Sequence, residues 1–332
     1  MKTFLINITL TAITLTAGNE MIAKHFNEPI SVKSQLYVLG DSLSDNGNLA
    51  NIFTYDTWNI DKVKFQEPFY HNSFTNGDVA ASILAKKLGT ELLPAWYQKG
   101  NNYAVGGAQA GQNHSWEYQL FLNHYSIDHK ANQLLKDHKI QKNDDIFIEI
   151  GGNDLLSAMD ENSTAKQESI INNAITTEFE TVDTLINAGA QNLIIANVPN
   201  ISNIPKYVNE KQSVKEVANH LSNEYNNKWN DKITELMKNN SDINIRPFDL
   251  ETNFSDLLSE AQEIGKNITN ESIKWSIPGL ALNLNPRYID GTTPETINNN
   301  FFFDYVHPNK WANWSWTIHW TYFIKNVTQT IN

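Results

Sequence analysis

Residues 35–48 have the sequence QLYVLGDSLSDNGN, in which a short apolar run ends at a glycine, an aspartate and a serine. The run Gln35–Leu39 indicates a strand buried on both faces, as in parallel sheets. Gly40 permits a tight turn after this strand, so Ser42 would stand at the carboxyl edge of the sheet, where α/β folds place their active groups. Gly-Asp-Ser is also ordinary turn chemistry, so this stretch alone does not establish a nucleophile.

Further apolar runs alternate with helical patterns along the chain. Three runs are predicted to be buried strands: Asp145–Ile150, Asn192–Val198 and Ile243–Phe248. Apolar residues recur every three or four positions between Ile171 and Ile186, before Gly189, and between Val214 and Leu236. Strands separated by helices of this length predict right-handed crossovers and a parallel sheet between helices. Residues 250–303 have little periodicity and several turn residues, which predicts a long loop.

The composition narrows the classes of function. The chain has 332 residues and a formal net charge of −12, which argues against binding to nucleic acid and against electrostatic docking on an anionic membrane. It contains no cysteine, which excludes disulfides, a thiolate nucleophile and cysteine-ligated metal sites. No His-Glu-x-x-His motif or phosphate-binding loop is present, so we expect neither a metal ion nor a cofactor.

The N-terminus has the layout of a secretory signal. Lys2 precedes an apolar stretch over residues 4–17, which ends at Ala17 before the polar residues 18–20. We therefore predict a leader over residues 1–23, a single domain over residues 30–332, and a protein that is secreted or periplasmic.

A second group of residues near the C-terminus has the chemistry that a serine nucleophile needs. Ester cleavage requires an imidazole to take the serine proton and a carboxylate to hold that imidazole in the right tautomer. Asp304 and His307 lie three residues apart on one segment, and Pro308 restrains the backbone of His307. These two residues are the candidate partners of Ser42.

Two glycine-containing stretches offer donors for a developing oxyanion. Gly107 lies in a Gly-Gly pair, where a backbone N–H could approach a ligand, and Asn153 follows the strand that ends at Ile150. Each also has a structural reading, since glycine pairs form turns and Asn-Asp can cap the following helix.

Taken together and in order, these four blocks resemble the GDSL, or SGNH, family of serine esterases and lipases. The resemblance implies that Ser42 is the nucleophile, that Asp304 and His307 complete the triad, and that the N–H of Ser42, Gly107 and Asn153 form the oxyanion hole. Asp45 and Asn48 match the extended first block. The fold it implies is a three-layer α/β/α, flavodoxin-like sandwich with a central parallel sheet of about five strands.

Within this family the chain resembles the bacterial secreted phospholipases, lysophospholipases and acyltransferases. Residues 74–77, Phe-Thr-Asn-Gly, and the aromatic approach to Asp304 are similar to motifs of that branch. Ser73 stands where the branch has an arginine, and the cysteine pair that controls activation in some members is missing.

The resemblance implies a hydrolase of (lyso)phospholipid acyl esters, with or without acyltransferase activity. A carboxylesterase for short acyl esters or glycan O-acyl groups is the alternative. A binding or lytic protein that uses the fold as a scaffold is the alternative from another class. We expect the walls of the acyl pocket to come from residues 49–75, 108–125 and 250–303.

The C-terminal tail is rich in aromatic residues, from Trp311 to Phe323. Aromatic side chains favour membrane interfaces, so transient contact with a membrane surface is one reading. We favour the other, a helix packed on the sheet.

Overall fold

The computed structural model describes residues 34–56, 63–111, 125–276 and 284–317. The predicted leader, over residues 1–23, and the end of the aromatic tail, over residues 318–332, lie outside the described residues. The leader, the domain bounds and export therefore stay predictions.

A parallel sheet forms the centre of the fold. Its strands are β1 (Leu36–Gly40), β2 (Asp145–Glu149), β3 (Asn192–Ala196) and β4 (Asn244–Phe248). They lie in the order β1-β2-β3-β4, and every neighbouring pair is parallel. This confirms the four strands that the apolar runs predicted, and it confirms an α/β fold.

The outer edge of β1 is covered by residues 101–105. The N–H of Val38 donates to the carbonyl of Asn101 at 3.0 Å, and the carbonyl of Val38 accepts from the N–H of Tyr103 at 2.7 Å. The N–H of Val105 donates to the carbonyl of Gly40 at 3.1 Å. The segment is not itself a regular strand, and the N–H of Ala104 donates to the Asn102 side chain at 3.0 Å. Within the described residues, the sheet therefore has four regular strands and one irregular neighbour, which leads directly to Gly107.

Helices surround this sheet. They are α1 (Asn48–Asp56), α2 (Ala80–Lys87), α3 (Ile127–Asp137), α4 (Gly152–Met159), α5 (Thr164–Asn187), α6 (Pro205–Val208), α7 (Gln212–Asn239), α8 (Leu250–Glu263) and α9, over residues 310–317. The two long helices, α5 and α7, confirm the periodic stretches of the sequence, and Gly189, with a φ of 102°, follows the end of α5. None of the helices in the described residues is long and apolar enough to cross a membrane.

The prediction of a long loop over residues 250–303 is wrong. Residues 250–263 form α8, whose N-cap is Asp249, with its side chain accepting the N–H of Thr252 at 3.1 Å. The helix buries Leu250, Phe254, Leu257, Leu258 and Ala261, a spacing typical of an amphipathic helix. An antiparallel hairpin follows, from β5 (Ile273–Ser276) and β6 (Asn285–Tyr288).

The described part of the tail packs as a helix. Within α9, Ala312 and Trp316 are buried and Trp314 is exposed. The hydroxyl of Thr317 donates to the carbonyl of Ala80, at the start of α2, at 3.2 Å. This agrees with a packed helix as far as residue 317.

Candidate active site

Ser42 lies in the turn that follows β1. The backbone carbonyl of Asp41 accepts the N–H groups of Ser44, at 3.3 Å, and Asp45, at 3.0 Å. The Asp41 side chain accepts the N–H of Leu43 at 3.0 Å. These hydrogen bonds fix the turn that carries Ser42. The Oγ atom of Ser42 lies 2.7 Å from Nε2 of His307. The structure therefore brings together the first and the last block of the sequence.

His307 is oriented by Asp304. The Nδ1 atom of His307 lies 2.9 Å from Oδ1 and 2.8 Å from Oδ2 of the Asp304 carboxylate. Burial pushes the pKa of Asp304 upward, but the neighbouring His307 and the N–H donors around the carboxylate hold its pKa below the ordinary value. An ionised Asp304 can only accept, so Nδ1 carries the proton of the imidazole. Nε2 is then free to accept the hydroxyl proton of Ser42.

The carboxylate of Asp304 is fixed by further donors. Its Oδ1 atom accepts the backbone N–H of Val306 at 2.9 Å and of His307 at 2.7 Å. Its Oδ2 atom accepts the indole N–H of Trp275, on β5, at 2.7 Å. The sequence did not point to Trp275, because nothing in the local pattern of β5 predicts which element reaches the carboxylate.

The backbone around Gly107 leaves an N–H available. The N–H of Gly106 donates to Asp45 at 2.8 Å, and the N–H of Ala108 donates to the carbonyl of Val105 at 3.1 Å. Within the described residues, no such bond is made by the N–H of Gly107, whose φ is 78°, or by the N–H of Ser42. These are two of the three predicted oxyanion donors.

Asn153 lies in the first turn of α4 and faces the same region. Its Nδ2 atom donates to the carbonyl of Ala108 at 2.9 Å and, more weakly, to Oδ2 of Asp41 at 3.4 Å. The N-cap of α4 is Gly151, with a φ of 110° and no side-chain cap. The reading of Asn153 as a helix cap is therefore wrong. Its two partners, Asp41 and Ala108, are the chain neighbours of Ser42 and Gly107, so the amide of Asn153 lies close to both.

Asp45 and Asn48 connect the first two blocks rather than facing the site. The Asp45 carboxylate accepts four N–H groups, those of Gly47 at 2.8 Å, Asn48 at 2.6 Å, Leu49 at 3.1 Å and Gly106 at 2.8 Å. The Asn48 amide donates to the carbonyls of Asn102 and Ala104 at 2.8 and 2.7 Å. Together these bonds fix the Ser42 turn against the loop that carries Gly107.

The block over residues 74–77 holds the segment that carries His307. The ring of Phe74 lies 5.0 Å from the imidazole of His307. Asn76 accepts the N–H of Lys310, the first residue of α9, at 2.8 Å and donates to Asn298 at 3.0 Å. Ser73, where the resembled branch has arginine, is satisfied locally, since its hydroxyl donates to the carbonyl of Tyr70.

A cation is buried behind the Ser42 turn. The ammonium group of Lys130, on α3, donates to the carbonyl of Gly40 at 2.6 Å, and Lys130 is fully buried. Burial raises the pKa of Asp41 to about 6 and lowers the pKa of Lys130 to about 8. Sequence reasoning also missed Lys130; the available signal was a lysine on the buried face of α3, with Ile127, Ala131 and Leu134.

An apolar cavity of about 50 Å³ adjoins Ser42 and Asn153. Its apolar wall consists of Leu43, Leu156, Pro199, Ile201, Ile204, Phe254, Val306 and Pro308. Of these, only Phe254 falls in the segments from which the sequence predicted the walls. The described residues of the predicted segments 49–75 and 108–125 do not line this cavity; residues 57–62, 112–124 and 277–283, within the predicted segments, lie outside the described residues.

No group of three or more acidic or histidine side chains within the described ranges is arranged to hold a metal ion.

Comparison with known proteins identifies a family whose model matches most of the chain. The model of the family "GDSL-like Lipase/Acylhydrolase" matches residues 36–314. "Lipase 1" of Photorhabdus luminescens is 30% identical over 174 residues, which are 52% of this chain and 23% of that protein. The chain thus spans less than a quarter of the length of this relative.

The chain is also similar to solved structures, among them the following two. A variant of an acetyl-xylooligosaccharide esterase from Geobacillus is 13% identical, with 89% of this chain and 95% of that chain covered and a TM-score of 0.45. An extracellular lipase from Streptomyces rimosus is 14% identical, with 88% and 99% covered and a TM-score of 0.39.

Proposed function

Because this chain belongs to the family of GDSL-like lipases and acylhydrolases, we propose that it is a carboxylic ester hydrolase in which Ser42, His307 and Asp304 form the catalytic triad. The observation that carries the proposal is the continuous chain from Ser42 Oγ to His307 Nε2 at 2.7 Å and from His307 Nδ1 to Asp304 Oδ2 at 2.8 Å. A hydroxyl in this position loses its proton to the imidazole as it attacks a carbonyl carbon.

The reaction proceeds through an acyl-enzyme. His307 Nε2 takes the proton of Ser42 while Oγ bonds to the carbonyl carbon, and the carbonyl oxygen becomes an oxyanion. The imidazolium then gives the proton to the leaving alkoxide, and the C–O bond of the ester breaks. Water then attacks the acyl carbon as His307 Nε2 takes its proton, and the imidazolium returns that proton to Ser42 Oγ as the acyl C–O bond breaks and the carboxylic acid is released.

The oxyanion would be stabilised by the N–H groups of Ser42 and Gly107 and by the amide of Asn153. The strong bond from Asn153 to Ala108 at 2.9 Å keeps the amide oriented, and the weak one to Asp41 at 3.4 Å is the one to be exchanged for the oxyanion. Donors that are in place before the reaction cost no reorganisation at the transition state.

For the substrate we propose the acyl ester of a phospholipid or lysophospholipid. The apolar wall of the cavity beside Ser42 supports an aliphatic acyl group. A volume of about 50 Å³ takes only its first carbons, so the rest of a long chain would extend out of the cavity. The same volume favours the second candidate, an esterase for short acyl groups such as those on small esters or glycans.

The nucleophile is tested with Ser42→Ala and a fluorophosphonate probe. We expect the wild type to be labelled at Ser42 and the variant to lose both labelling and ester turnover while its thermal melt is unchanged. Ser259→Ala, an exposed serine on α8, is the matched control and should keep full activity. Labelling at another serine, or full turnover by Ser42→Ala, would contradict the assignment.

The substrate is tested with p-nitrophenyl esters of increasing acyl length beside phospholipid and lysophospholipid. Release of fatty acid from the lipids, with kcat/KM rising with chain length, supports the lipolytic proposal. A maximum at acetyl or propionyl with no lipid hydrolysis supports the short-chain candidate. Absence of turnover on every ester by the folded protein would leave the binding or lytic scaffold.

The wall of the cavity provides a second test. Leu156→Ala removes half-buried side-chain volume beside Ser42, so the preferred acyl length should increase. Leu135→Ala, at a partly buried leucine of α3 that is not among the cavity's lining residues, should lower stability without changing the preference. An identical chain-length profile in all three proteins would place the acyl group elsewhere.

A further inference from the structure

The indole of Trp275 contacts the proposed triad from outside the four sequence blocks. Oδ1 of Asp304 is held by two backbone N–H groups, whereas in the described structure Oδ2 accepts only from Trp275, at 2.7 Å, and from His307. We propose that Trp275 is a positioning residue, whose N–H fixes Oδ2 of Asp304 and thereby sets both the orientation and the basicity of His307. This inference rests on the proposed function.

Aromatic packing fixes the indole in this position. The ring of Trp275 lies 6.3 Å from that of Phe69, 6.0 Å from that of Phe74 and 6.1 Å from that of Tyr305. Phe74 also packs on His307, at 5.0 Å. The same aromatic cluster therefore holds the indole, covers the imidazole and keeps water from the bond between His307 and Asp304. Trp275 cannot turn away from Asp304 without disturbing these ring contacts.

The N–H of Trp275 also changes the charge that His307 meets. A donor on Oδ2 stabilises the negative charge of Asp304 and weakens its pull on the imidazolium. The titratable groups that face the pair are Asp41 from the Ser42 turn, Glu271 from the segment before β5, and Tyr305. None of them donates an N–H to Oδ2, so loss of the indole donor leaves Asp304 more basic. The imidazolium that forms during the reaction is then held more strongly by the carboxylate.

The test is Trp275→Phe, which keeps an aromatic ring and removes the N–H. We expect kcat to fall about 10-fold or more, because Asp304 is less firmly oriented, with KM within about twofold of wild type. The acid limb of the kcat/KM profile should move upward by about one pH unit. Trp96→Phe is the matched control. Its indole N–H donates to the carbonyl of Tyr103 at 3.4 Å, far in the sequence from Asp304, and we expect an unchanged pH profile.

An acid limb that does not move in Trp275→Phe would overturn the proposal, since any loss of kcat would then be a packing effect. If Trp275→Phe does not fold, Trp275→His and Trp275→Leu replace it, because only histidine can donate an N–H. Higher kcat in the histidine variant supports the proposal, and equal kcat in the two overturns it. The Ser42→Ala protein in the same assay separates the two hypotheses. Full activity there contradicts the triad itself, whereas its inactivity leaves the Trp275 result to decide on positioning alone.

Discussion

Asp304 combines complete burial with an ionised carboxylate, because His307, two backbone N–H groups and Trp275 compensate its lost hydration. Asp304→Asn removes the charge and lets the side chain present an N–H to His307 Nδ1, which selects the wrong tautomer. We expect kcat to fall by about 10⁴, the size of the loss when this change is made in a serine protease triad. Asp78→Asn, whose carboxylate pairs with Lys86 on the surface, is the control. Steady-state kinetics decide; a kcat within a few-fold of wild type would show that Asp304 is not needed.

Asn153 should act in the transition state rather than in substrate binding. Its amide meets little charge on a ground-state carbonyl and full charge on the tetrahedral intermediate. Asn153→Ala should therefore lower kcat by about 10²–10³ and leave KM nearly unchanged. Because Gly151, and not Asn153, is the N-cap of α4, the loss of stability should be limited to that of the hydrogen bond from Asn153 to Ala108. Asn209→Ala, which removes a surface bond to Thr269, is the control. A lower melting temperature with near-normal kcat would leave the oxyanion to Ser42 and Gly107.

At the scale of elements, the sequence predicted what depends on local pattern. The buried runs became β1 to β4, and the two long periodic stretches became α5 and α7. The helical period of α8 is present in the sequence, but the turn residues that follow it favour a loop over the whole segment. The partners of Asp304 and of Gly40 could not be predicted, since Trp275 and Lys130 reach them from distant elements.

The irregular segment over residues 101–105 shows the same limit. Its pairing with β1 consists of backbone hydrogen bonds, while the Asn102 side chain accepts the N–H of Ala104 and donates to the carbonyl of Ser44 and to the side chain of Asn46. Such bonds do not follow a strand period, so no periodic pattern announces them. The site residues of the four blocks were predicted as a set, but the segments that hold them in place were not.

The docking of residues 74–77 on α9 gives a prediction at this scale. Asn76 accepts the N–H of Lys310 and donates to Asn298, and α9 begins three residues after His307. Asn76→Ala should cost about 1–2 kcal/mol of stability and lower kcat, because the segment that carries His307 loses its anchor. Asn298→Ala removes only one of the two bonds and should leave kcat unchanged. Urea unfolding and steady-state kinetics on both variants test this; equal kcat in the two would show that the anchor does not position His307.

At the scale of the whole molecule, the ionisable groups buried beneath the site are mostly carboxyl groups. Asp41, Glu149, Asp154 and Glu178 are all buried in the interior that also holds Lys130. Burial raises the pKa of Asp154 to about 7 and the pKa of Glu178 to about 8. The region is thus more stable when these carboxyls are protonated, and the protein as a whole carries a net charge of −12.

Glu178 is the group through which this dependence can be tested. Its carboxyl accepts the hydroxyl of Tyr225 at 2.9 Å and the indole N–H of Trp229 at 3.2 Å, and it lies outside the proposed triad. The pKa of Glu178 is about 8 in the folded protein and about 4.3 for a glutamate in the unfolded chain. Between these pH values the folded state therefore binds one proton more than the unfolded state. Its contribution to stability is thus fully present below about pH 4 and is lost as the pH rises to about 8, at up to about 1.4 kcal/mol per pH unit.

Glu178→Gln should flatten this pH dependence, since glutamine stays neutral throughout. The variant's free energy of unfolding should fall less steeply between pH 5 and pH 8, and the variant should gain on the wild type toward pH 8. Lys130 affects stability at higher pH. Burial lowers its pKa to about 8, so the cost of burying its charge falls only above that pH, where the ammonium group loses its proton. Urea unfolding at each pH measures the slopes, with Glu235→Gln, at an exposed carboxyl of α7, as the control. Parallel curves for Glu178→Gln and the wild type would mean that Glu178 is already ionised in the folded protein at pH 5.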